Sequence, residues 1–318
     1  MRNGTDQWIP AKGVQAKWIQ ALQDLGYQAP VILGAGMEGT VVELADGSIV
    51  KVWYRRVASE LLTLKTFYDA VGAADLPFAV PKVLDVIPLA DRCATLEMKL
   101  VGQPLWRKPG ASPPLDAPHV DAVVSVLTAL AGTEPTPNMA ILPILQGEAA
   151  FGAGTPFGSS LAALVESRVA KNEASLGARL ADLDDLVSAV TGHVAHLAPA
   201  SPALVHGDLV PGNVLVHNER PTAVLDFGFM STIGDPAFDA AIAASIYDMY
   251  GPAAAQSEAR LDEAIRYQFG YERARLAIYR AAYAFITANC FSPSGSDGHF
   301  NWCVHMLRRP EVREVLGV

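Results

Sequence analysis

The chain has 318 residues, 51% of them hydrophobic, which supplies a sizeable core for one large domain or a two-lobed body. No apolar run reaches the roughly 18 residues a membrane helix needs, and residues 1–28 lack the basic start and apolar centre of a secretory signal, so the chain is expected to act in the cytoplasm with no membrane partner. Of the net charge of −9, residues 101–318 contribute −8 through 14 Lys and Arg against 22 Asp and Glu, while residues 1–100 carry 10 against 11; a nucleic-acid partner, which requires clustered cations, is excluded.

An amphipathic helix is expected around residues 12–25. The segment "VILGAGMEGTVVELADGSIVKVW" then reads as strand, tight turn, strand, turn and strand. Asp46-Gly47 between "TVVEL" and "SIVKVW" is a hairpin signal in which both turn positions favour positive φ. A helix follows from about Val57 to Val71, with Leu61, Leu62, Leu64 and Phe67 on an apolar face. Two more strands are expected at "KVLDVIPL" and "CATLEMKL", before a Gly- and Pro-rich connection, "VGQPLWRKPGASPPLDAP".

From about Pro118 the pattern is mostly helical, with a long loop around 133–158. The exception is residues 203–227, where "ALVHGD", "NVLVHN" and "TAVLDF" read as short β segments; helices resume at about Pro236. The expected organisation is a β-rich lobe over 1–101 and an α-rich lobe over 102–318. Cys93, Cys290 and Cys303 are odd in number and show no CxxC spacing, so they read as reduced thiols.

Gly34, Gly36 and Gly39 with Val41 spell G-x-G-x-x-G-x-V. A dinucleotide fingerprint would open a helix here, yet the β-branched residues after Gly39 continue as a strand, which puts the glycines in a hairpin tip. Such a tip can lay backbone amides over phosphates, or can be nothing more than a bent hairpin. Lys51 lies in the next strand between Val50 and Val52, which face the other side of the sheet. Glu60, the only acidic residue between Asp46 and Asp69, is placed to pair with Lys51 or to stand as a solvated charge.

The stretch "LVHGDLVPGNVLV" sets His206, Gly207, Asp208 and Asn213 between two apolar runs, and "VLDFG" delivers Asp226 eighteen residues after Asp208. Phosphoryl transfer needs a carboxylate that accepts the attacking hydroxyl's proton, and oxygen ligands that keep magnesium on the phosphates. Asp208 supplies the first; Asn213 and Asp226 supply the second.

"HGDLVPGN", "LDFG" and "GDPAFD" together resemble the aminoglycoside phosphotransferase family, which belongs to the protein-kinase-like fold. The resemblance runs from Gly34 to about Asp239. It implies an α+β, bilobal fold: a five-stranded N-terminal lobe, a hinge near Glu97–Leu100 gripping the adenine, and a helical lobe for the acceptor. It implies Asp208 as catalytic base, Asn213 and Asp226 on Mg2+, Lys51 on the phosphates and Glu60 orienting Lys51. Gly34, Gly36, Gly39, Glu97 and Lys99 complete the nucleotide set. Asp235 and Asp239 match a pattern that organises structure. ATP is the expected donor, with GTP as the other possibility, and no obligate protein partner is implied. Many members lack a full three-glycine loop, so that part leans on the wider kinase fold.

Only "FMSTI" separates Gly228 from "GDPAFD", which leaves little room for a peptide-binding activation segment. A small-molecule alcohol is therefore the expected acceptor. Carboxylates and aromatic rings of the helical lobe, Asp248, Asp262, Asp297 and Trp302 among them, would suit a cationic antibiotic such as an aminoglycoside or basic cyclic peptide. A metabolite kinase of the choline, homoserine or sugar type is the alternative. An inactive nucleotide-binding regulator is disfavoured because Lys51, Asp208, Asn213 and Asp226 are all present.

Overall fold

The computed structural model describes residues 12–36, 38–89, 91–106, 111–145, 147–152, 154–198 and 200–318. The chain divides into two compact units: one runs up to Val101 and takes in Ala223–Leu225, and the other comprises Gly102–Thr222 and Asp226–Val318.

The first unit is built on an antiparallel sheet ordered β1-β2-β3-β5-β4, from β1 (Val31–Ala35), β2 (Gly39–Glu43), β3 (Ile49–Trp53), β4 (Val83–Leu89) and β5 (Arg92–Glu97). Strand alternation sets its two faces. Val50 and Val52 are fully buried, in one cluster with Trp18 and Leu22 of α1 (Lys12–Asp24), Val42, Ile87 and Ala94. Lys51, between them, points to the other face and is aligned with Val41 and Thr95. Helix α2 (Ala58–Gly72) buries Leu61, Leu64, Phe67, Tyr68 and Val71.

The turn at Asp46-Gly47 corrects one expectation. Only Gly47 has positive φ, at 81°. The β2–β3 loop spans residues 44–48, closed by Leu44 N–H donating to the Ser48 carbonyl at 2.9 Å. Asp46 contributes its carboxylate, which accepts from the Ser48 N–H at 2.9 Å. A local side-chain acceptor replaces the second left-handed residue.

The second unit holds β6 (Gln103–Pro104), α3 (Ala117–Ala131), α4 (Phe157–Gly177), α5 (Leu183–His196), β7 (Ala203–Val205), β8 (Val214–His217), the first three residues of β9 (Arg220–Val224), β10 (Thr232–Gly234), α6 (Pro236–Ile246), α7 (Ala254–Phe269), α8 (Arg273–Thr287), α9 (Gly298–Arg308) and α10 (Pro310–Leu316). Strand β7 pairs with β10, and β8 lies between β6 and β9. Strands β6 and β10 escape the sequence pattern because two or three residues cannot display an alternation.

Helix α8 forms the middle of this unit, packed against α4, α5, α6, α9 and α10. Every residue from Leu276 to Thr287 is buried, as is every residue from Ala237 to Ile246 in α6. Helices buried on all sides belong in the centre of a core, and Phe157, Phe238 and Tyr279 meet edge to face there, with Tyr283 tilted against Phe238. Asp235 caps α6 by accepting the Ala237 N–H at 2.9 Å, and its other oxygen takes Arg275 Nε at 3.0 Å together with the Tyr279 hydroxyl of α8. Among the described residues no helix is long and apolar enough to cross a membrane, and none of the three cysteines is in a disulfide.

Breaking a buried pair strands its partners. Asp235→Ala removes the α6 cap and leaves Arg275 and Tyr279 without their acceptor, so the expected loss is about 3–5 kcal/mol, read as a fall in Tm of roughly 10 °C in a thermal melt.

Candidate active site

The loop after β7 carries His206, Gly207 and Asp208, and it is fixed from below by one carboxylate. Asp239, 2% exposed on α6, accepts the His206 N–H through Oδ2 and the Gly207 N–H through Oδ1, each at 2.9 Å. Burial pushes the pKa of Asp239 up, against the His206 charge and the two N–H donors, which favour the ionised form. Gly207 has φ +81°, and a Cβ there would lie 2.7 Å from both Met230 Cβ and the Phe229 carbonyl oxygen. The glycine in "HGD" is thus required by backbone conformation and by space.

Asp208 is held by its backbone. Its N–H donates to His206 Nδ1 at 3.2 Å, and its carbonyl accepts from the Val210 N–H and from Asn213 Nδ2, both at 2.9 Å. Pro211–Asn213 forms a 3-10 turn that leads into β8. The Asn213 amide nitrogen is spent on the loop.

Asp226 follows β9 with φ +55°, a left-handed conformation that aspartate tolerates better than most side chains. The next residue, Phe227, is buried with its ring centroid 4.4 Å from that of His206. Gly228 N–H donates to Ser231 Oγ at 2.9 Å, and Ser231 Oγ donates to the His206 carbonyl at 2.6 Å. One hydroxyl therefore ties the Asp226 loop to the Asp208 loop. An amide oxygen at Asn213 and a carboxylate at Asp226 are the hard oxygen donors that Mg2+ takes. Among the described residues no three His, Cys, Asp or Glu side chains gather into a metal cage.

In the first unit the glycine segment is a hairpin tip. Gly34 is aligned with Val41 beyond an irregularity in β1, and Gly36 N–H donates to the Gly39 carbonyl at 2.9 Å. A Cβ at Gly39 would stand 2.5 Å from the Val52 carbonyl oxygen, so this glycine also serves close strand packing. The expected Lys51–Glu60 pair is corrected. Glu60 accepts the Val57 N–H at 2.9 Å and so completes the start of α2, whereas Glu38 is a carboxylate near Lys51, at 3.9 Å. A helix N-terminus offers donors that a first-turn glutamate can satisfy locally. Lys99 is likewise engaged elsewhere, on the surface with Glu43 at 2.5 Å. Glu97, at the end of β5, accepts from Thr95 Oγ1 at 2.5 Å.

A family model described as "Phosphotransferase enzyme family" matches residues 16–277. The chain belongs to that family. It is a small-molecule phosphotransferase. Solved structures of similar fold include a thermostable mutant of aminoglycoside phosphotransferase APH(4)-Ia in ternary complex with AMP-PNP and hygromycin B, with 17% identity and TM-score 0.66, covering 96% of this chain and 98% of that one. The macrolide 2'-phosphotransferase type I is similar at 18% identity and TM-score 0.60 over 95% and 99% of the two chains. ADP-bound APH(2'')-Ib matches at 15% identity and TM-score 0.55 over 92% and 96%. No curated protein sequence matches the chain.

Within this phosphotransferase, most of the acidic residues expected at the acceptor have structural partners. Asp262 forms an ion pair with Arg280, whose Nη1 donates at 2.9 Å. Asp248 is buried and accepts from Ser112 Oγ at 2.6 Å. Both therefore already have partners within this unit. Asp297 caps α9 by accepting the Phe300 N–H through Oδ1 at 2.7 Å, but its Oδ2 is buried with no hydrogen-bond partner. Trp302 is half-buried and stacks on His299.

His299 was not legible as a site residue. It is buried, and Thr287 Oγ1, which donates to the Tyr283 carbonyl, accepts from its Nε2 at 3.0 Å. That leaves Nδ1 to accept the Tyr250 hydroxyl at 3.2 Å, while the Tyr250 ring is 66% exposed. Burial pushes the Tyr250 phenol up, with Cys303, Asp297 and Asp208 adding to the rise.

Burial lowers the His299 pKa to about 4, against the Asp297 charge. The unfolded chain binds a proton there near pH 6.5 and the folded one does not, so this residue's stability is full above about pH 6.5 and is lost as the pH falls towards 4. His299→Gln is expected to flatten that limb, worth about 3 kcal/mol at most, in denaturant midpoints measured from pH 4 to 7.

Proposed function

We propose that the chain is an ATP-dependent O-phosphotransferase, with GTP as a second possible donor, that modifies a hydroxyl of a small cationic antibiotic and so confers resistance. The observation that carries the catalytic part is the Asp208 loop, fixed through Asp239, Asn213 and Ser231. A base that must meet one hydroxyl gains from a backbone that does not wander. Asp208 takes the proton as the acceptor oxygen attacks the terminal phosphorus, and the bond to the bridging oxygen breaks to release the nucleoside diphosphate. Asn213 and Asp226 would hold Mg2+, which when bound neutralises the phosphate oxygens. Lys51 is assigned to the donor phosphates and the Gly34–Gly39 hairpin to their backbone contacts.

The acceptor class rests on charge and on two groups. Residues 101–318 carry the acidic balance, Asp297 Oδ2 is a buried acceptor without a donor, and Tyr250 offers an exposed ring with its hydroxyl anchored. An ammonium group on a ring-bearing scaffold answers both. The similar structures bound to hygromycin B and named for macrolides support an antibiotic acceptor. The alternative is a metabolite kinase, whose acceptor would be an amino alcohol or a sugar.

Asp208→Asn is expected to cut turnover by about 10²–10⁴ while leaving the nucleotide Kd near that of the parent, measured by single-turnover kinetics beside calorimetric titration. Near-parental turnover would remove Asp208 as the base. In a panel of aminoglycosides, basic cyclic peptides, macrolides, choline and homoserine, the best acceptor is expected to be polycationic. Its KM should rise with added salt, since exposed charges are screened over about 8–10 Å at physiological ionic strength. A neutral best acceptor with a salt-independent KM would move the assignment to a metabolite kinase.

A further inference from the structure

The turn between α6 and α7 is anchored on both sides of Tyr250. Tyr247 Oη donates to the Pro114 carbonyl at 2.9 Å, and Ser112 Oγ donates to the buried Asp248 carboxylate at 2.6 Å while accepting the Ala253 N–H at 3.0 Å. Gly251 N–H donates to the Asp248 carbonyl at 2.9 Å, and a Cβ at Gly251 would collide with the Asp248 carboxylate. Tyr250 is therefore carried by a locked backbone.

Its ring is 66% exposed and yet held, because its hydroxyl is bound to His299 Nδ1 at 3.2 Å. His299 is fixed in turn: Trp302 stacks on it at 5.9 Å, and Phe291 meets it edge-on at 5.0 Å. The hydrogens in this chain of groups run one way. The Tyr283 carbonyl can only accept, so Thr287 Oγ1 spends its single hydrogen there at 2.9 Å and accepts from His299 Nε2 at 3.0 Å. Cys303 Sγ, 3.5 Å from Nε2 and 3.7 Å from Thr287 Oγ1, is too weak a partner to reverse that order. His299 Nδ1 then carries a lone pair, and the Tyr250 hydrogen points inward to it. Outward, the phenol offers only oxygen lone pairs and the ring face.

The inner end of this tether leads back to the candidate base. The Tyr283 ring lies 6.5 Å from that of Phe238, the residue before Asp239, which fixes the Asp208 loop. Burial pushes the Tyr250 and Tyr283 phenols up, and the Asp208 charge adds to the rise in both. Holding an exposed side chain in one rotamer costs entropy that burial does not offset. A ligand that settles on a ring already held does not meet that cost again.

We propose that Tyr250 is the platform on which the acceptor is seated and selected, with His299 as the positioning residue that fixes its ring and the direction of its hydroxyl. The matching part of the acceptor is a saturated ring whose edge carries N–H or O–H donors. The aromatic face takes the ring or an adjacent ammonium, and the phenol oxygen takes one donor. A carboxylate or phosphate at that place would meet lone pairs with no hydrogen between them. The inference rests on the acceptor reading above and goes beyond it, naming the residue that selects, the residue that positions it and the polarity selected.

Steady-state kinetics of the full chain, with the best acceptor of the panel above, reads the platform. Tyr250→Phe keeps the ring but frees it, so the acceptor KM is expected to rise about three- to tenfold. Tyr250→Ala removes the ring as well and should raise it about tenfold or more. The KM for MgATP should stay at the parental value in both. His299→Leu should match Tyr250→Phe, and the double variant should be no worse than either alone, since both cut the same tether. A 15N NMR spectrum of the imidazole at neutral pH should place the hydrogen on Nε2.

An acceptor KM indifferent to Tyr250→Ala would overturn the inference, and so would a hydrogen on Nδ1. Additive losses in the double variant would reduce His299 to a support of the core and overturn its positioning role. If the parent turns over a cationic antibiotic whose KM ignores both Tyr250 variants, the platform falls while the antibiotic reading stands. If the best acceptor is a neutral sugar whose KM rises as stated, the antibiotic reading falls and the platform stands. A parent that turns over no acceptor of the panel would sink both.

Discussion

A carboxylate removed from water and facing two backbone N–H groups holds the second unit's chemistry in place. Asp239 cannot move without leaving His206 and Gly207 donors unsatisfied in a dry environment. Asp208, one residue further on, inherits that immobility through the peptide chain. The steric demand at Gly207 acts in the same direction, since the Phe229–Met230 backbone packs against the space a side chain would fill. A mobile side chain placed at the end of a rigid loop meets a reacting group at small entropic cost.

The rigidity of α6 depends in turn on α8. Both helices are buried on all sides, so neither has a solvent face on which polar residues could relax. Their charged groups are consequently matched in place: Asp235 with Arg275 and Tyr279, and Arg280 with Asp262 and with the Ala241 carbonyl. Removing one member of such a set costs more than the set adds to stability, because the partner stays buried. The same matching occupies Asp235 and Asp262 before any ligand arrives, so the acidic balance by itself overstates how much of it faces an acceptor.

Much of this arrangement was legible in the sequence. The strands of the first unit announce themselves by alternation, with Val50 and Val52 on one side and Lys51 on the other. The order of Asp208, Asn213 and Asp226 in the sequence carries the resemblance on which their proposed roles rest. Side-chain pairing was the part that could not be read. Glu60 is the nearest acidic residue after Lys51 with a helix to carry it, but a glutamate in a first helical turn has backbone donors at hand. Glu38 sits among glycines whose pattern speaks only of backbone conformation. Asp248 and Asp262 read as carboxylates for a cationic acceptor in a sequence with no record of Ser112 or Arg280 folding against them. Tyr250 and His299 are 49 positions apart, and nothing in either segment announces the other.

Ser231 links two stretches of chain with a single oxygen, as donor to one and acceptor from the other. Such a group makes their positions one variable instead of two. A displacement at Gly228 rotates the hydroxyl and weakens its bond to the His206 carbonyl. The segment that carries Asp226 and the segment that carries Asp208 should therefore loosen or tighten in concert. Grafting either segment alone from a relative would bring in a backbone cut to a different spacing. Recombination among members of this family is then expected to keep residues 206–231 together as a block.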